Sequence, residues 1–149
     1  MREDNFLKQD NFTLEELDEA IRAIASTISK SEKAQLKLKA GTWQHIMTVQ
    51  GIRAYYVAIN LLNREVETNS RGDSFKGNDV NEIKDANESK YMKEELEEAL
   101  QTIASVIGRI EKVQPKFEEG TPQHTLAVRR IKAFRIASVL VEKELKYFA

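Results

Sequence analysis

"GTWQHIMTVQGIRA" occupies residues 41–54 and "GTPQHTLAVRRIKA" occupies residues 120–133. Both carry Gly-Thr-x-Gln-His in the same register, and the agreement runs outward from there. With an offset of 79 residues, 14–65 aligns with 93–144 without a gap, and 23 of the 52 positions are identical. Chance would give about three, so the chain contains one unit twice.

The first part of each copy has apolar residues at steps of three and four: Leu17, Ile21, Ile24, Ile28 and then Leu38, matched by Leu96, Leu100, Ile103, Ile107, Ile110 and Phe117. That spacing defines one helix face. Glu15, Glu19, Glu94 and Glu98 fall on the opposite face of the first turns, where carboxylates favour the helix dipole and face solvent. At the repeated stretch, Thr42 and Thr121 are N-caps for a second helix, and Pro122 suits its first position. Gly41 and Gly120 supply the tight turn before it. Each copy is therefore a helical hairpin, with an interruption expected near Pro115 in the second.

Apolar positions go most of the way round the second helix of each copy. Val49, Ile52, Tyr55, Ala58, Leu61 and Leu62, and equally Val128, Ile131, Phe134, Ala137, Leu140 and Val141, cover more than the stripe of about 100° that one partner helix needs. One hairpin cannot bury such a helix. The expected fold is all-α: tandem hairpins related by pseudo-twofold symmetry in a four-helix bundle-like domain, or hairpins exchanged or paired between chains. Leftover apolar surface points to a homo-oligomer. The expected organisation is an N-terminal extension at 1–12, hairpin repeats at 13–66 and 89–149, and a polar linker at 67–88 that contains "ETNSRGDSFKGNDVNE".

Composition narrows the function classes. With 41% apolar content the 149 residues suffice for one modest core. Basic and acidic side chains number 23 and 24, so no whole-chain field favours nucleic acid and any anion site must be local. Cysteine is absent, which removes disulfides, thiolate nucleophiles and Cys-ligated zinc. The start, "MREDNFLKQD", lacks the basic and apolar pattern of a signal peptide, and no stretch approaches the roughly 18 apolar residues of a membrane span. A cytoplasmic protein that does not engage the membrane is expected.

His45 and His124, the two histidines, stand three residues into the second helices. Two readings remain open. The rings, with Gln44 and Gln123, cap their own hairpins, or they join free backbone N–H groups and the helix dipole in a small anion site. A metal site is disfavoured, because the residues four further on are Val49 and Val128. In line with the histidines, Tyr56 of one copy answers to Arg135 of the other. An aromatic ring and a guanidinium on surfaces related by symmetry suit a base and a phosphate in one pocket; the plainer reading packs Tyr56 in the bundle and leaves Arg135 in solvent. Arg129, Arg130 and Lys132 add to the charge: 120–149 holds six basic and two acidic residues, against six and eleven in 79–119. No recognition motif accompanies these cations, which argues against nucleic acid. Nor is there a glycine-rich phosphate loop, a nucleophile elbow or a Glu-x-x-His pair, so no catalysis and no cofactor are expected.

The stretch "PKFEEGTPQHTLAVRRIKAFRIASVLVEKEL" resembles the helical hairpin domain of phage anti-defence sponges, which sequester cyclic nucleotide or cyclic ADP-ribose signals of bacterial immunity. The residues that carry the likeness are Pro115, Thr121, Gln123, His124, Leu126, Ala127, Ala133 and Ala137. It covers about thirty residues, twice; the chain departs from the pattern in being duplicated and in having His where an acidic residue follows the cap. The resemblance implies a viral protein in a bacterial cell, oligomeric, that sequesters a signal without chemistry. Two functions are therefore expected to compete: a non-catalytic protein that binds a small anionic nucleotide, and a structural or protein-interaction helical module with no small ligand.

Overall fold

The structure is a computed structural model, and it describes residues 11–72 and 91–148. Among the described residues, four helices make up the all-α fold: α1 (Leu14–Lys37), α2 (Trp43–Gly72), α3 (Lys93–Val113) and α4 (Pro122–Leu145). Short 3-10 turns follow α3 at Gln114–Lys116 and α4 at Lys146–Phe148.

Local chemistry sets the helix starts. The Thr13 hydroxyl accepts the Glu16 N–H at 3.0 Å while the Glu16 carboxylate accepts the Thr13 N–H at 3.0 Å, a complete capping box. Phe12 and Leu17, on either side of the cap, are both buried in the core, the placement of a hydrophobic staple. Both hairpin turns are built alike. The Thr42 N–H donates to the Lys39 carbonyl at 3.2 Å, and the Thr121 N–H to that of Glu118 at 3.2 Å. The third residue of each turn is Gly41 (φ 88°) or Gly120 (φ 87°), a left-handed conformation that costs other residues about 1–2 kcal/mol. The expected caps hold: Thr42 and Thr121 accept the His45 and His124 N–H groups at 3.2 and 3.3 Å.

Two boundaries differ from the expected ones. α2 continues through residues 67–72, where the composition reads as linker. Its last turns are tied down, because the Thr68 hydroxyl donates to the Arg64 carbonyl at 3.0 Å and the Asn69 amide to the Phe12 carbonyl at 3.1 Å. α3 begins at Lys93 rather than at 89, and the stretch 73–90 of the expected linker lies outside the described residues. The interruption at Pro115 is present as the 3-10 turn that ends α3.

α1 packs on α2 and α4, α3 packs on α4 and α2, and α2 packs on α4. The central pair runs parallel. Tyr55 meets Phe134 with ring centroids 5.3 Å apart, and nine or ten residues on, Arg64 pairs with Glu144 and Lys143 with Glu65 at 3.8 Å. Each contact joins positions that correspond, or nearly so, at the 79-residue offset, and the two ion pairs are one bond written twice. Because each hairpin is antiparallel, both glycine turns lie at one end of the bundle; Phe12, Asn69, Glu144 and Tyr91 lie at the other.

Central position explains the wide apolar surface of α2 and α4. Each touches three helices and buries Ala54, Tyr55, Ala58, Leu61 and Leu62, or Ala133, Phe134, Ala137, Leu140 and Val141. Val128, expected among the buried positions, is instead 43% exposed. Among the described residues no helix is long and apolar enough to cross a membrane.

Candidate functional site

The structure puts most of the expected site residues to work inside their own hairpins. His124 Nε2 lies 3.3 Å from the Gln114 amide nitrogen, across the turn that its backbone N–H helps to cap, and His45 is half-buried at the equivalent place. The Tyr56 hydroxyl donates to Glu32 Oε2 at 2.8 Å, and the Arg135 guanidinium bonds Glu111. These two bonds occupy matching places, since Glu32 and Glu111 are also 79 residues apart. Tyr56 and Arg135 therefore each tie the second helix of a hairpin to the first, and they do not share a pocket. Lys132 pairs with Glu16 at 3.7 Å, and Arg129 is exposed. Tyr56 also edges a groove of about 320 Å³ between α2 and α3, beside Tyr91, Glu95 and Glu98. Arg130 alone of the seven expected ligand residues reaches the cleft that follows.

That cleft lies toward the turn end of the bundle. It has two lobes that meet at Tyr55 and Arg109. One lobe, of about 450 Å³, runs between α3 and α4 over Phe134, with Val113, Phe117 and Leu126 among its walls and Arg130 at its side. The other, of about 330 Å³, lies between α2 and α3 and presents Thr48, Gln50, Gln101, Thr102 and Ser105. Among the described residues, no Asp or Glu lines either lobe. In a chain with as many acidic as basic residues, that exclusion is a property of the site.

Arg109 and Arg130 keep their charge unneutralised: neither forms an ion pair with a described residue. Arg130 Nε is shielded from solvent and has no hydrogen-bond partner, a condition that costs free energy and is uncommon in folded proteins. Burial pushes the Tyr55 phenol above its ordinary pKa, and Arg109 and Arg130 both pull it back, which places two guanidinium fields on one hydroxyl. Aromatic floor, apolar wall, hydroxyl and amide wall, and paired guanidiniums together suit a planar ring that carries an anion. Among the described residues no three His, Asp or Glu side chains are grouped to hold a metal.

Helical periodicity places Tyr55 among the apolar positions of its helix and gives no role to Arg109. A signal existed: at the offset of 79, Arg130 answers to Gly51, and Arg109 to Lys30. A glycine in one copy stands against an arginine in the other, one of the larger differences in size and charge between the second helices. Compared with protein-family models, curated proteins and solved structures, the chain matches none of them.

Proposed function

We propose that the chain is a non-catalytic binding protein that sequesters a small anionic nucleotide, held in the cleft at the turn end. The observation that carries this reading is the acid-free, two-lobed cleft on which Arg109 and Arg130 converge beside Tyr55. The apolar lobe over Phe134 accepts a base, the hydroxyl- and amide-lined lobe accepts a sugar, and the guanidiniums between them take the phosphate. The sponge resemblance supplies the biological setting, a phage or prophage factor that removes a bacterial immune signal. Isothermal titration against cyclic dinucleotides, cyclic trinucleotides and cyclic ADP-ribose isomers tests it. A 1:1 complex with one of them is the expected result, and no heat with any at about 100 μM removes this reading.

A specific surface favours a second reading, a module that binds protein. Trp43 (73% exposed), Ile46 (47%) and Met47 (39%) share one face of the first turns of α2, and Leu36 (87%) stands on the preceding helix. The second hairpin has Pro122, Thr125, Leu126 and Pro115 at these places, so the exposed apolar set belongs to one copy. Recovery of a stoichiometric protein partner, with no metabolite in native mass spectrometry, would favour this alternative.

A further inference from the structure

We infer that the cleft contains one phosphate anchor per chain, formed by the Arg109 and Arg130 guanidiniums and the Tyr55 hydroxyl, and that Gly51 makes it possible. The inference rests on the cleft being a ligand site and specifies which atoms hold the anion.

The argument begins with symmetry. Had the copies stayed alike, the bundle would carry two equivalent sites at its turn end. Two of the three components of the anchor break that equivalence, while Arg109 answers to another cation, Lys30. The Tyr55 hydroxyl has no counterpart, because position 134 is Phe. Arg130 answers to Gly51, and a side chain at 51 would crowd the phenol: a Cβ there would stand 3.3 Å from Tyr55 Oη. Gly51 is buried, so the space it leaves is taken up by the phenol tip rather than by solvent. One copy has given up a side chain to seat a hydroxyl, and the other has gained a guanidinium at the matching place.

The three groups converge from three helices: Tyr55 from α2, Arg109 from α3 and Arg130 from α4. An anion among them would meet the Arg130 guanidinium at the cleft wall and would receive a hydrogen bond from the neutral phenol. A tetrahedral phosphate has acceptor oxygens for a fork and a hydroxyl at once, and planar guanidiniums match it better than ammonium groups do. The apolar lobe beside the anchor has room for a planar ring carried by the phosphate. The ligand class is a ring-bearing organic phosphate, bound once.

The probes are adenosine 5′-monophosphate, adenosine and inorganic phosphate, titrated into the full chain by ¹H–¹⁵N NMR, with thermal unfolding of every variant as the check on folding. One adenosine 5′-monophosphate per chain is expected, with adenosine at least about tenfold weaker. Arg109→Gln and Arg130→Gln should each weaken it by about tenfold or more, and Tyr55→Phe and Gly51→Ala by about fivefold. Arg130→Lys should recover only part of the loss, and Lys30→Gln, at the place matching Arg109, should change nothing. Two molecules per chain, wild-type affinity in folded Arg109→Gln and Arg130→Gln, or no spectral change with adenosine 5′-monophosphate or phosphate up to about 10 mM would each overturn the anchor. Binding of a cyclic nucleotide unaffected by these variants would leave sequestration standing and the anchor refuted.

Discussion

Thr13 and Met92 hold the same place in the two copies, one residue before α1 and one before α3. Both backbones are prepared for a cap: the Glu95 carboxylate accepts the Met92 N–H at 2.9 Å, as Glu16 accepts that of Thr13. Only Thr13 returns a bond to the helix; the Met92 side chain makes none and is 63% exposed. Met92→Thr should complete the second capping box and raise stability by about 1 kcal/mol, seen as a higher midpoint in urea. At the next cap, Thr121→Ala removes a hydroxyl that both donates to the Glu118 carbonyl at 2.7 Å and accepts the His124 N–H. A loss of about 1–2 kcal/mol in the same measurement is expected. Such caps are legible because a Thr before an apolar period has one local use. Tyr56 and Arg135 were not legible in the same way. Their bonds to Glu32 and Glu111 span 24 residues, and although both carboxylates recur in the repeat, helical spacing alone does not reveal which residue across the hairpin they face.

At the scale of elements, the crossing of α2 and α4 is fixed by two ion pairs of unequal burial. Glu144 is 1% exposed and takes two bonds from the Arg64 guanidinium, one of them at 3.1 Å. Lys143 and Glu65 meet at 3.8 Å near the surface. Arg64→Met would leave a carboxylate buried without its partner, and a loss of about 3–5 kcal/mol is expected in equilibrium unfolding. Lys143→Met should cost less than Arg64→Met, because the Glu65 carboxylate keeps some contact with water where Glu144 has almost none. Comparable losses in the two variants would show that burial does not distinguish the pairs. The apolar period announced that α2 and α4 would be surrounded, but not that they would run side by side and parallel. Arg64 and Glu65 are sequence neighbours, and nothing local indicates that they reach across to the other copy rather than into solvent.

For the whole molecule, the differences between the copies that bear on the cleft lie at the turn end, where one carries Gly51 and the exposed Trp43 face and the other Arg130. The divergent stripe runs along α2 and α4. It did not locate the cleft, which depends on where α3 sits, and so Arg109 emerges only in three dimensions. If the Trp43 face drives self-association, the double variant Trp43→Ser, Ile46→Ser should lower the mass measured by light scattering at high concentration and leave the unfolding midpoint within about 0.5 kcal/mol. The pH response follows from Tyr55. Burial raises its pKa in the folded chain, so the unfolded chain releases that proton first, near the ordinary value of 10.0, and stability falls as pH rises from there through the folded pKa. Tyr56 is shifted the same way by its bond to Glu32, so the test is a difference: Tyr55→Phe should lose less stability than the parent between about pH 9 and about pH 11.

The parallel central pair also fixes how the molecule meets mechanical load. Phe12 and the end of α4 both lie at the end of α2 opposite the cleft, and α1 packs against α4 in the opposite direction. Tension applied between residues 11 and 148 would thus peel the outer contacts open one helical turn at a time, like a zipper drawn from its free end, instead of shearing whole helices past one another. The Arg64–Glu144 clasp would be among the first interactions strained, and the cleft among the last.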